Sequence, residues 1–157
     1  MRLLVGLLFA ILVGLPARAQ KPTGKFTGGL TKQGNVFTWN TTDARMRVEF
    51  CNSSVVRVRV SWTGNFEADE QWMVVQYKWP DVKLAQSETG AELVLQSDSL
   101  KVKVNKENGA VSIYTKNGEL LTGDVNGGGT LTGDRPLATK VLQPGENFFG
   151  FGERMDF

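Results

Sequence analysis

Carboxylates are the side chains in this sequence that could serve as general acids or bases, because the chain contains no histidine. The lack of histidine excludes a Ser-His-Asp triad and every zinc site that uses an imidazole ligand. Three carboxylates, Glu67, Asp69 and Glu70, cluster in the stretch GNFEADEQW. A charged run of this kind is typical of a solvated loop, so we assign it no catalytic role.

Two further carboxylates, Asp124 and Asp134, lie in a glycine-rich segment and are candidates for calcium ligands. Carboxylates in such a segment more often belong to turns, because Asp side chains hydrogen-bond the nearby backbone there. The consecutive glycines at 127–129 could suggest a phosphate cradle, but the Lys-Ser/Thr pair of a P-loop does not follow them. The repeated LTGD at 121–124 and 131–134 instead indicates a long hairpin or an irregular edge loop. The sequence thus predicts no metal site and no cofactor.

The single cysteine, Cys51, has no second cysteine with which to form an intrachain disulfide. It follows Phe50 at the end of an alternating segment, and a cysteine nucleophile normally needs a histidine partner. We therefore interpret Cys51 as a buried structural thiol.

Residues 1–19 have the three parts of a secretory signal peptide. Arg2 is a short basic region, residues 3–15 are apolar apart from their glycines, and Ala17-Arg18-Ala19 is a small-residue cleavage site. The apolar run is too short to span a bilayer, which takes about 20 residues, so we predict no membrane span. An exported chain without disulfides suits a bacterial periplasm or secretion from a bacterium.

Removal of this leader would also change the charge balance. The loss of Arg2 and Arg18 lowers the Lys plus Arg total from 18 to 16, which equals the Asp plus Glu total of 16. A net charge near zero, with basic residues spread singly, provides no patch for nucleic acid. We therefore expect no nucleic-acid partner.

The elements that must position any site are strands. Residues 20–35 are polar and rich in Gly and Thr, and we predict a flexible leader there. From residue 36 onward, apolar residues recur with a period of two in the segments ARMRVEFC, VVRVRVSW, WMVVQYKW, AELVLQ and LKVKV. Each such strand is expected to have one buried face and one wet face. Hairpin turns are expected at 52–54 and at Asn117-Gly118. The pattern predicts an all-β domain over 36–157, an antiparallel sandwich or barrel.

Four tryptophans, Trp39, Trp62, Trp72 and Trp79, lie at or near the ends of the expected strands. Their ring faces could stack on sugars, and an exported all-β domain with four tryptophans invites that hypothesis. The alternative is that they fill the sandwich core and its ends, where tryptophan is common. For each tryptophan taken singly, we favour the core.

The last segment, ENFFGFGERMDF at 146–157, combines aromatic residues with two glycines and a charged pair. Gly150 and Gly152 bracket Phe151, and glycines within a strand permit a bulge or a close backbone approach. One interpretation is a core strand of the sandwich. The other is a strand that delivers Glu153 and Arg154 to a shared interface.

This segment, ENFFGFGER, resembles the Gly-aromatic/Leu-Gly-Glu signature that closes the N-terminal domain of glycoside hydrolase family 31. The stretches ARMRVEFCNSSVVRVRV and SLKVKVNKENGAVSIYTKNGELL also resemble hairpins of that domain, in the same order. The resemblance covers about residues 36–157 and implies a galactose-mutarotase-like β-sandwich. The family contains retaining α-glucosidases and α-xylosidases that act on α-linked oligosaccharides and glycosides.

The resemblance also implies what this chain lacks. Family members continue into a catalytic (β/α)₈ barrel, which needs about 250 residues and carries both catalytic carboxylates. We therefore expect this chain to be a fragment of a longer enzyme, with no catalytic residue of its own. Gly150, Gly152 and Glu153 match the signature, and their implied role is to position a loop against the barrel. Arg154 could pair with a carboxylate across that domain boundary.

Two other functions remain open at the level of sequence. One is a stand-alone exported carbohydrate-binding module that uses tryptophan faces. The other is a structural β domain of an envelope assembly that binds no ligand.

Overall fold

The period-two alternation of the sequence produces strands, and the computed structural model describes them over residues 20–69, 76–125 and 127–147. In these ranges the chain forms twelve strands and no helix. They are β1 (Gln20–Pro22), β2 (Phe26–Gln33), β3 (Val36–Thr41), β4 (Arg45–Asn52), β5 (Val55–Ser61), β6 (Ala85–Glu88), β7 (Glu92–Gln96), β8 (Leu100–Asn105), β9 (Val111–Thr115), β10 (Leu120–Gly123), β11 (Thr130–Thr132) and β12 (Arg135–Leu137).

The strands form three antiparallel sheets. A four-stranded sheet has the order β2-β3-β4-β5, a five-stranded sheet has the order β10-β9-β8-β7-β6, and a small sheet joins β1, β11 and β12. All neighbours in the two larger sheets are also consecutive in the chain, as expected for hairpin connections. The all-β antiparallel sandwich expected from the alternation is confirmed.

The hydrophobic core lies between the two larger sheets. Its largest fully buried side chains are Phe37 and Trp39 of β3 and Phe50 of β4. The rings of Phe37 and Phe50 meet edge to face, with centroids 6.4 Å apart. Burial of each such side chain stabilises the fold by roughly 1.5–3 kcal/mol. Leu93, Leu95, Leu100, Val102, Val104 and Val111 complete the core from the five-stranded sheet, together with Met46 and Val48 from the four-stranded one.

The hairpin predicted at 52–54 joins β4 to β5. Its turn is fixed by Asn52, whose side-chain oxygen accepts hydrogen bonds from the Ser54 backbone N–H at 2.8 Å and the Ser54 hydroxyl at 3.0 Å. The predicted turn at Asn117-Gly118 likewise joins β9 to β10, with Gly118 at a φ of 92°. Both hairpin predictions are confirmed.

Residues 20–35 differ from the flexible leader that the sequence predicts, because they supply β1 and β2. Gly28 and Gly29 have φ values of 113° and 70°, and the pairing of β2 with β3 shifts its register beside them. The paired glycines therefore build irregularities into an edge strand. Residue 20 already belongs to the folded domain, so the boundary predicted at residue 36 is corrected.

The segment WMVVQYKW, which the sequence predicts to be a strand, falls partly outside the described residues. Residues 76–79 are described and form no strand. Among them, Tyr77 contacts β5, where the Arg57 guanidinium lies 5.4 Å from the centroid of its ring.

Candidate functional site

The residues that the sequence marks as interdomain positions, Gly150, Gly152, Glu153 and Arg154, lie outside the described residues. Their role at a barrel interface therefore stays a prediction. Glu70 and Trp72 also lie outside the described residues.

Within the described part of the chain, an open groove of about 420 Å³ lies between the end of β5 and the β11–β12 hairpin. One wall comes from residues 59–67, and the other comes from Leu131, Asp134 and Pro136. We call this feature the Trp62 groove, since Trp62 lies in its first wall. The walls are far apart in the sequence, so only the fold brings them together.

Hydrogen bonds tie the first wall of the Trp62 groove to the second. The indole Nε1–H of Trp62 donates to the backbone carbonyl of Pro22 at 3.1 Å. Pro22 in turn pairs with Thr130 at the start of β11. On the other side of Trp62, the Ser61 hydroxyl donates to the backbone carbonyl of Asn65 and closes the turn. The groove is therefore held in shape by the chain itself.

Polar side chains in the groove have unused hydrogen-bonding capacity. Glu67, Asp134 and Asn65 are exposed, and their side chains make no hydrogen bond or ion pair with the described residues. Arg59 differs, because its guanidinium is 3.2 Å from Asp69 and donates to the Glu67 backbone carbonyl at 2.8 Å. The groove can thus hold a ligand by apolar contact and by hydrogen bonds to carboxylate and amide oxygens.

Beside the groove, four arginines lie on the outer face of the four-stranded sheet. We call them the arginine cluster: Arg45, Arg47, Arg57 and Arg59. The Phe66 ring lies among three of them, with the Arg59 guanidinium 5.5 Å and those of Arg45 and Arg47 6.0 Å from its centroid. Arg57 stacks in the same way on Tyr77 at 5.4 Å.

Carboxylates neutralise part of the arginine cluster. Asp69 Oδ1 is 2.8 Å from Arg57 and 3.2 Å from Arg59. Glu49, which is only 7% exposed, is 3.5 Å from Arg47 and 3.8 Å from Arg57. The sequence predicts a wet face here, and the structure corrects that prediction in part. Phe66, Asp69 and Tyr77 contact the arginines, and Glu49 is buried, whereas Arg45 is exposed.

Cys51 is buried and unpaired, as expected of a structural thiol. Burial raises the pKa of the Cys51 thiol, and the nearby Glu49 carboxylate raises it further. A thiol with a raised pKa is a poor nucleophile at neutral pH.

Asp134 lies in a turn, as the sequence favours, whereas Asp124 forms a β-bridge with Lys140 directly after β10. Asp124 accepts a hydrogen bond from the Val111 backbone N–H at 2.8 Å and pairs with Lys140. Asp134 lies in the turn between β11 and β12. The described residues contain no cluster of three or more His, Cys, Asp or Glu side chains arranged to hold a metal.

The tryptophans divide between core and surface. Trp39 is 1% exposed and belongs to the core, as predicted. Trp62 is half-buried and lines the groove, whereas the sequence favours the core for each tryptophan taken singly. The missed signal is its position: Trp62 directly follows β5 and precedes the polar turn Thr63-Gly64-Asn65, where a strand leaves the sandwich.

The three antiparallel sheets and the core between the two larger ones define the chain as a β-sandwich domain. A family model described as the glycosyl hydrolase 31 N-terminal galactose mutarotase-like domain matches residues 45–157. The chain belongs to this family, which confirms the resemblance found in the sequence. No curated protein matches the chain.

Several solved structures share the fold. A family 31 dextranase from Flavobacterium johnsoniae, solved with isomaltotriose, is 25% identical, with a TM-score of 0.74 over 85% of this chain. A family 31 α-xylosidase from a soil metagenome is 21% identical, with a TM-score of 0.52 over 62% of this chain. The cycloalternan-forming enzyme of Listeria monocytogenes is 15% identical, with a TM-score of 0.56 over 69%.

These relatives are much longer than the part that matches. The chain spans 17% of the dextranase, 14% of the α-xylosidase and 10% of the cycloalternan-forming enzyme. The part of the chain that the structure describes has no helix with the length and apolar character that crossing a membrane demands.

Proposed function

We propose that this chain is the N-terminal β-sandwich domain of an exported retaining α-glycosidase and that it supports the active site of a catalytic barrel. The observation that carries the proposal is the family match over residues 45–157. The fold similarity to a dextranase over 85% of the chain supports it independently of the motif at the C-terminal end.

The different roles of the barrel and the sandwich follow from the chemistry of retaining glycosidases. Such enzymes use two carboxylates about 5 Å apart, one as nucleophile and one as acid/base. In our proposal both belong to the barrel, and the sandwich contributes position rather than chemistry. We expect the residues that meet the barrel to be Gly150, Gly152, Glu153 and Arg154, which lie outside the described residues.

The proposed substrates are α-linked gluco-oligosaccharides. The dextranase was solved with isomaltotriose, and the Listeria enzyme was solved with a pentasaccharide substrate. Residues 1–19, with the pattern of a signal peptide, support export of the enzyme.

The test is a deletion in the enzyme that the full coding frame specifies. We expect the complete enzyme to hydrolyse isomaltotriose with retention of the anomeric configuration, as followed by proton NMR of the first product. Deletion of residues 20–157, with the leader kept, should reduce kcat/KM by at least about a hundredfold, because misplacement of the active-site loop disrupts substrate geometry. An equally active deletion enzyme that is folded by circular dichroism would overturn the supporting role.

A second candidate function, a stand-alone carbohydrate-binding module, is favoured by one observation, the Trp62 groove. It predicts sugar binding by this chain without any associated hydrolase. A complete enzyme that hydrolyses isomaltotriose would decide for the first candidate.

A further inference from the structure

We propose that the Trp62 groove binds a short α-linked glucan. The choice of glucan rests on the proposed function, whereas the location and chemistry of the site rest on the groove itself. Trp62 and Pro136 provide apolar contact, and Asn65, Glu67 and Asp134 provide hydrogen bonds.

The composition of the groove matches a neutral polyhydroxy ligand. Small-ligand sites are concave, have volumes of about 300–1,000 Å³, and combine apolar side chains with a few polar groups that fix orientation. The Trp62 groove, at about 420 Å³, falls in this range and has both kinds of lining. Sugar rings have an apolar face that packs on aromatic rings and a rim of hydroxyls that donate hydrogen bonds.

The charged side chains of the groove further limit the chemical class of its ligand. The Glu67 and Asp134 carboxylates are able to accept hydrogen bonds, and neither has a partner among the described residues. Arg59, in contrast, is already paired with Asp69. Two open carboxylates disfavour an anionic ligand such as a phosphate. They favour a ligand with many hydroxyl donors, because hydrogen bonds to a charged acceptor are the stronger kind.

The groove is organised before any ligand arrives. The Trp62 indole is held by the Pro22 carbonyl, and β1 connects that contact to β11 in the opposite wall. The ligand therefore orders few protein groups on binding, which reduces the entropic cost of association.

The test is a titration of the purified chain with isomaltotriose, followed by ¹H–¹⁵N NMR. The Trp62 indole resonance, assigned by its loss in Trp62→Phe, should shift in a saturable manner together with the Asn65 side-chain amide. Glu67→Gln and Asp134→Asn should each weaken binding roughly fivefold, because each removes a charged acceptor that is partly screened by solvent.

The matched control is Glu119→Gln. Glu119 is an exposed carboxylate in the β9–β10 hairpin and has no ion pair among the described residues. This variant should bind isomaltotriose as the parent does. Equal weakening by Glu119→Gln, or a flat titration of the parent, would overturn the proposal. A shift at Trp62 with trilysine but not with isomaltotriose would also overturn it, since the groove would then bind cationic peptides.

The titration of the Trp62 groove and the deletion test of the proposed function have independent outcomes. A flat titration excludes glucan binding in the Trp62 groove but leaves the barrel-supporting role untested. Conversely, glucan binding by this chain stands even if deletion of residues 20–157 leaves hydrolysis unchanged.

Discussion

At the scale of single residues, Asp69 is the anion that bridges two members of the arginine cluster. It lies 2.8 Å from Arg57 and 3.2 Å from Arg59, and its own side chain is 28% exposed. Because residues 62–69 carry both Asp69 and Phe66 across the sheet, this carboxylate helps to hold that segment over the outer face. The alternation of Arg and Val predicts that β5 is a strand, but it does not predict that residues 62–69 lie over the outer face of the sheet.

We predict that Asp69→Asn lowers the free energy of unfolding by about 1 kcal/mol, the upper range for ion pairs that retain solvent contact. The loss should shrink in about 1 M NaCl, where charges are screened over roughly 3 Å. Urea denaturation at low and high salt measures both effects. Asp98→Asn is the matched control, since Asp98 is exposed and has no ion pair among the described residues. An Asp69→Asn protein as stable as its parent at low salt would contradict this account.

Cys51 gives a second prediction at this scale, based on the burial that raises its thiol pKa. The folded state favours the neutral thiol. The resulting stabilisation is present below the unfolded-state pKa of about 8.5 and is lost as pH rises through the higher folded-state pKa.

We therefore expect iodoacetamide to alkylate Cys51 much more slowly in the native protein than in urea, between about pH 7 and 9. Mass spectrometry of quenched samples follows the reaction. Cys51→Ala should remain unmodified in both states and should lose less stability than the parent above the unfolded-state pKa. Equal alkylation rates in the native and urea-unfolded protein would show that the thiol is accessible.

At the scale of elements, the glycine-rich segment before β11 packs tightly against the first strands. The Thr23 backbone N–H donates to the Gly129 carbonyl at 2.9 Å, and Thr23 is fully buried. A Cβ on Gly128 would overlap the Gly109 carbonyl oxygen and lie 2.8 Å from the carbonyl carbon of the same residue. Glycine is required here by close backbone approach rather than by a phosphate ligand.

We predict that Gly128→Ala lowers the free energy of unfolding by about 1–3 kcal/mol, because backbone must shift to admit the methyl group. Gly90→Ala is the control, since a Cβ at Gly90 has no neighbour within 4 Å. Thermal melts followed by circular dichroism should show a lower Tm for Gly128→Ala alone. Similar melting temperatures for the two variants would exclude the tight packing described here.

The sequence predicts the elements well where apolar alternation is strong. Strands β4, β5, β7 and β8 follow directly from it, and in β7 and β8 buried side chains occupy every second position. β2 is missed because Gly28 and Gly29 interrupt the alternation and suggest flexibility, whereas in the fold they form irregularities in a paired edge strand. Local composition cannot distinguish these two cases when pairing with β3 decides the conformation.

At the scale of the whole molecule, the functional surface depends on contacts between distant segments. The Trp62 groove joins residues 59–67 to the β11–β12 hairpin, and no periodic pattern connects those two stretches. The family resemblance, by contrast, is visible in sequence because its motifs are local and occur in order. The sequence therefore predicts the sandwich and its family but not the groove. The interdomain role of the residues in the C-terminal signature remains a prediction.

The central claim is that this sandwich works as the N-terminal domain of a family 31 glycosidase. The most direct measurement is the genomic DNA sequence immediately downstream of the Phe157 codon. The account predicts a frame that stays open for several hundred codons and encodes a (β/α)₈ barrel, which alone needs about 250 residues, with two catalytic carboxylates. A stop codon directly after Phe157 in intact genomic DNA would contradict the account.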